Sequence, residues 1–122
     1  MINIKDQVYA ALVAALGDNV SDLYPTSWTS LPAIQYSEEA NNVYTWTDDA
    51  EQISYVRYRV DIWDSKSTSE TAIAVNDALA PMGLIRIECQ DAPDPSGLRH
   101  KQMRFEAQIE IDNEAMYWTG NQ

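Results

Sequence analysis

Apolar residues open the chain at helical spacing. Ile4, Val8, Leu12 and Leu16 fall on one stripe, flanked by Ala11 and Ala15, which predicts an amphipathic helix from about Asn3 to Leu16. Asn3 is the expected N-cap and Gly17 the stop. Asp18 to Ser30 reads as loop, because Asn, Asp, Ser, Pro and Thr crowd together there. From Leu31 the period shortens. Ala33 to Ser37 and Val43 to Thr47 read as two short strands across a polar turn at Glu38 to Asn42, with a second turn at Asp48, Asp49 and Glu51. The clearest strand is Ser54 to Trp63. Val56, Tyr58, Val60 and Ile62 point one way, and Tyr55, Arg57, Arg59, Asp61 and Trp63 the other.

A second helix follows. Ser67 with Glu70 three residues on has the form of a capping box. Ala72, Ile73, Val75, Ala78 and Leu79 supply its apolar surface, and Pro81 with Gly83 ends it. Leu84 to Cys89 is a further strand, and Asp91 to Gly97 a turn-rich loop that two prolines bar from regular structure. The last strand, about Lys101 to Ile111, alternates Met103, Phe105, Ala107, Ile109 and Ile111 with Gln102, Arg104, Glu106, Gln108 and Glu110. One sheet face is therefore apolar and the other polar. The expected fold is α+β: a two-layer sandwich with a mostly antiparallel sheet of about five strands and two helices on one face. No repeat or linker divides the chain, so residues 1–122 are expected to form a single domain.

Composition narrows the function. The 45% hydrophobic and 22% charged content is that of a globular protein, not a disordered one. With 19 acidic against 8 basic side chains the formal net charge is -11. Such a surface repels phosphate backbones and anionic lipid heads, which argues against a DNA-binding or membrane-surface role. The acidity serves solubility, or a surface that must sit beside DNA without sticking. Cys89 is the one cysteine. It has no partner for an internal disulfide and, in an apolar strand, is expected to be a small buried hydrophobe. No signal peptide or membrane span is visible, so synthesis inside the cell is expected.

Catalytic chemistry finds no support. His100 is the one histidine, expected to be exposed, and no imidazole cluster can form in one subunit. No serine sits in a GxSxG elbow, and no glycine-rich phosphate loop exists. Asp48, Asp49 and Glu51, and Asp91 with Asp94, lack the alternation of a calcium loop. The expectation is no enzyme, no metal and no cofactor.

The aromatic residues are more informative. Four Trp and seven Tyr accompany one Phe. Tyr and Trp suit surfaces that become buried against a partner, since they combine large area with a polar tip. Trp28 lies in a polar loop, Tyr55 and Trp63 on the outward strand face, and Tyr117 and Trp118 near the chain end.

Four segments resemble the tail-completion, or tail-terminator, proteins of long-tailed bacteriophages. They are KDQVYAALVAAL, YPTSWTSLPAIQYSEEANN, SYVRYRVDIWDSKSTSETA and DPSGLRHKQMRFEA. The resemblance runs over nearly the whole chain, in order and character, without a catalytic signature. It implies a small α+β domain that closes into a ring, commonly a hexamer. Such a ring caps the tail tube, meets a head-closure or neck protein, and lets DNA pass through its channel. The location implied is the virion tail or neck, after synthesis in the bacterial cytoplasm, with no membrane partner. The family carries no invariant site onto this chain. From pattern, Tyr55, Trp63, Tyr117 and Trp118 are the expected subunit contacts. Arg57, Arg59, Asp61, Gln102, Arg104 and Glu106 are expected to line the channel or meet the next ring, and the loop Asp91 to His100 to be an arm that orders on docking. The alternatives are another head-tail connector ring and a monomeric acidic module that mimics DNA charge.

Overall fold

In the computed structural model the described residues are 3–17, 19–22, 24, 31–47, 50–110 and 116–117, the last two and 44–47 and 50–52 by backbone alone. Helix α1 spans Lys5–Leu16. Its N-cap is Ile4, one residue later than expected, because Asn3 Oδ1 accepts from the Lys5 N–H at 3.1 Å. Gly17 closes the helix at φ 90, a value that disfavours any side chain, and its N–H donates to the Val13 carbonyl. A short strand, β1 (Val20–Ser21), follows and pairs in parallel with the next, Val20 opposite Ile34.

The two short strands expected over residues 33–47 are one. Strand β2 runs Ala33–Thr47 and forms a long antiparallel hairpin with β3, Ala50–Asp64. The turn expected at Glu38 to Asn42 does not form. Asn41 and Asn42 instead stand opposite Val56 and Tyr55, and the surplus residue is absorbed as a bulge between Glu38 and Ala40. Composition favoured a turn there, and pairing with the strong β3 strand overrode it.

Helix α2 spans Ser69–Leu79. The capping box is absent: Thr68 is the N-cap, and Ser67 Oγ accepts from the Ser69 N–H at 3.3 Å. A 3-10 turn, Ala80–Met82, carries Pro81 and ends at left-handed Gly83. Strands β4 (Ile85–Ala92) and β5 (Arg99–Glu110) then pair antiparallel, and β6 (Met116–Tyr117) lies against Ile109 and Gln108. The sheet order is β1-β2-β3-β5-β4, with β6 paired to β5. All pairs except β1–β2 are antiparallel.

The inner face of β3 and β5 meets both helices. Val56, Tyr58, Val60, Ile62, Met103, Phe105, Ala107 and Ile109 pack with Val8 and Leu12 of α1 and with Ala72, Val75 and Leu79 of α2. Ile73 is on the far side of α2 and exposed. Strand β4 lies at the sheet edge, and a register shift between Arg86 and Glu88 breaks its alternation. None of its residues is fully buried, and Cys89, expected to be buried, is exposed.

Candidate assembly surface

The outward sheet face collects the polar residues of β3 and β5 in register. Tyr55 stands opposite Gln108, Arg57 opposite Glu106, Arg59 opposite Arg104, and Asp61 opposite Gln102. The Arg59–Arg104 rung sets like charges side by side, which costs energy unless an anion intervenes. Glu39 supplies it. As the surplus residue of the β2 bulge its carboxylate accepts from Arg104 Nε at 3.0 Å and lies 3.9 Å from Arg59 Nη1. Its Oε1 is 3.4 Å from Arg57 Nε, without the alignment of a hydrogen bond. Glu88 of β4 binds Arg104 from the other side. The hydrogen bonds that Arg104 donates to Glu39, and then to Glu88, hold it more firmly protonated than usual against the opposing effect of burial. Sequence reasoning found the three arginines but missed Glu39 and Glu88. Glu39 sat in an expected turn, and only the bulge re-aims it.

Toward the other end of β3 the outward face is covered. Asp61 is 2% exposed and takes a hydrogen bond from Arg59 Nε at 2.9 Å, with His100 Nε2 also at 2.9 Å. The His100 ring stacks on Trp63 with centroids 4.5 Å apart, and Tyr24 meets Trp63 edge-on at 5.5 Å. Trp63 Nε1 donates to Asp94 Oδ1 at 3.0 Å. Two expectations are corrected. His100 is not exposed but 10% accessible at its side chain, since stacking and the Asp61 contact draw it in. Trp63, expected at a subunit contact, is 3% exposed and buried within its own subunit.

The loop expected to be a docking arm is shorter than expected, because β4 and β5 extend through Ala92 and from Arg99. Asp94 pins it. Hydrogen bonds from Ser96 and then from Trp63 hold the Asp94 carboxyl below the usual carboxylate range. Tyr55 keeps a half-buried place on the outward face and donates to Glu106 Oε2 at 2.7 Å. Burial, then that hydrogen bond, raises its hydroxyl pKa. Tyr117 is placed by its backbone in β6, while Trp28, Trp118, Asp48, Asp49 and Ile111 lie outside the described residues.

The surface offers charge pairing and an aromatic contact. Among the described residues no group of three His, Cys, Asp or Glu is placed to hold a metal ion, and no helix is long and apolar enough to cross a membrane.

Comparison of the whole fold adds an independent observation. The structure aligns with a chain from the virion of a native gene transfer agent particle, with a TM-score of 0.59 over 85% of this chain and 92% of that one. The fold is shared with a virion chain. Identity is 16%, so the likeness is one of backbone arrangement. The sequence itself matches no family model and no curated protein.

Proposed function

We propose that the protein is a structural subunit of a virion, and more finely a tail-terminator ring that caps the tail tube and joins it to the head. The observation that carries the coarser reading is the fold shared, nearly end to end, with a chain of a gene transfer agent virion. The finer reading rests on the sequence resemblance, and the outward face is compatible with it. Arg57, Arg59 and Arg104 gather there in a chain of net charge -11, interleaved with Glu39, Glu88 and Glu106. Interleaved charge suits a polar subunit contact. It does not suit a DNA mimic, which needs acids massed on one face. Partners on this reading are other copies of the chain, the tail-tube protein and a head-closure or neck protein, with DNA only in transit.

Light scattering over a concentration series, with and without tail tubes, tests it. Rings of about six copies, formed alone or on the tubes, are expected. A protein that stays monomeric under both conditions overturns the terminator reading.

A further inference from the structure

Strand β4 ends the sheet order, and among the described residues β5 is its one strand partner. Along its other side runs a row of backbone N–H and C=O groups, which in any edge strand is a template for further pairing. Its 8 residues make it longer than a typical strand. It contains neither Lys nor Pro, two residues that commonly blunt such edges. Ile87 is 44% exposed, and Cys89 is exposed as well. What remains to guard the edge is its charge and its bulge, and both bear on what fits there.

The order of residues in β4 suits an antiparallel copy of itself. Arg86 stands opposite Phe105, Cys89 opposite Met103 and Asp91 opposite Lys101, so all three belong to the helix-side row. Ile85, Glu88, Gln90 and Ala92 stand opposite Glu106, Arg104, Gln102 and His100, in the outward row. Ile87 is the surplus residue between Arg86 and Glu88. Only because of that bulge do Arg86 and Asp91 share a face, since plain alternation would part them. Two antiparallel copies with Cys89 opposite Cys89 then match row for row. Arg86 of each meets Asp91 of the other, Glu88 meets Gln90, and Ile85 meets Ala92. The Asp91 side chain is 81% exposed, and Arg86 is exposed without an ion-pair partner among the described residues. A parallel, in-register pair would instead set Arg86 beside Arg86, which is unfavourable.

We propose that β4 pairs antiparallel with β4 of a second copy, about a two-fold axis at Cys89, so that one sheet runs across both subunits. Such a contact is isologous and therefore differs from the head-to-tail contacts that close a ring. It joins free copies of the chain and does not depend on the terminator reading.

Charge swaps test the register. Arg86→Asp alone and Asp91→Arg alone each set like charges together at both symmetric rungs, and each is expected to weaken dimerisation about tenfold or more. Mixed, the two variants are expected to form a heterodimer, because both rungs between them then join opposite charges. Sedimentation velocity of each variant and of the mixture reads this, with circular dichroism to check the fold. Directly opposite Cα atoms lie about 4.5–5.5 Å apart in an antiparallel pair, within disulfide reach. Diamide is therefore expected to cross-link wild type into dimers and to leave Cys89→Ser uncrosslinked. A wild-type protein that is monomeric off the tubes overturns this contact and leaves the ring reading standing. A dimer that neither forms rings nor binds tubes does the reverse. A dimer indifferent to both charge swaps, or one that diamide does not cross-link, overturns β4 as the seam. Protection of the β4 amides from hydrogen exchange only on tail tubes overturns self-pairing and assigns the edge to another protein of the tail.

Discussion

Tyr58 is fully buried on the inner face, and its hydroxyl donates to Glu38 Oε2 at 2.6 Å. Burial first, and the neighbouring carboxylate second, push its pKa far above the ordinary tyrosine value. Folded Tyr58 therefore keeps its proton where unfolded Tyr58 loses it. The stability this contributes is complete below the unfolded pKa of about 10 and declines as the pH rises beyond it. Tyr58→Phe is expected to cost about 1.5–3 kcal/mol at neutral pH, the range for a hydrogen bond to a charged group. It is also expected to flatten the alkaline loss of stability. Urea unfolding at pH 7 and at successive alkaline pH values measures both. Asp94 behaves in the opposite sense. Its folded pKa is depressed, so its charge stabilises above the usual carboxylate pKa of about 3.9, and the effect is lost as the pH falls through the lower folded value. Asp94→Asn is expected to be less stable than wild type at pH 7, with the gap closing in strong acid. Thermal unfolding against pH reads that closure.

At the scale of elements, β3 and β5 carry the fold. Each presents an unbroken inner row, and both helices pack on it. Phe105 has no exposed surface, and Phe105→Ala is expected to cost about 3–5 kcal/mol, since the cavity cannot fully collapse. Denaturant titration measures it, and a loss under 1 kcal/mol would mean that the β5 row is not the centre of the core. The outward face differs. Its ion pairs are partly exposed, the Arg57 side chain being 42% accessible, and pairs of that kind contribute only about 0–1 kcal/mol each. Arg57→Glu is therefore expected to change unfolding free energy by about 1 kcal/mol or less. Larger destabilisation would show that the arginine cluster holds the fold.

At the scale of the molecule the same substitution is expected to act differently. If the outward face meets another subunit or ring, Arg57→Glu reduces assembly on tail tubes while the far-ultraviolet circular dichroism and melting curve stay those of wild type. Sedimentation of tubes with bound protein measures this, and unchanged capping would remove Arg57 from the contact surface. The two ends of the sheet differ as well. Trp63, His100 and Asp94 seal one end of the outward face, whereas at the other, among the described residues, the β2–β3 pairing continues past the last β3–β5 rung. A molecule with unlike ends is suited to directional assembly, whatever the number of copies.

By itself the sequence determined the two helices, the inner and outer faces of β3 and β5, and the α+β class. Each rests on local periodicity that a chain cannot satisfy in two ways: a one-residue slip would turn the row Val56, Tyr58, Val60 and Ile62 into solvent. It also placed Arg57, Arg59, Asp61, Gln102, Arg104 and Glu106 on one face. What lay beyond it was set by partners distant in the chain. Asn41 and Asn42 are strand residues because β3 lies opposite. Glu39 reaches three arginines because a bulge turns it outward. His100 and Trp63 are buried because Asp61 of β3, Asp94 of the β4–β5 loop and Tyr24 from the segment before β2 converge on them. Cys89 is exposed because its strand ended at the sheet edge. Periodicity reports which way a side chain points, and only tertiary structure decides whether anything is there to cover it.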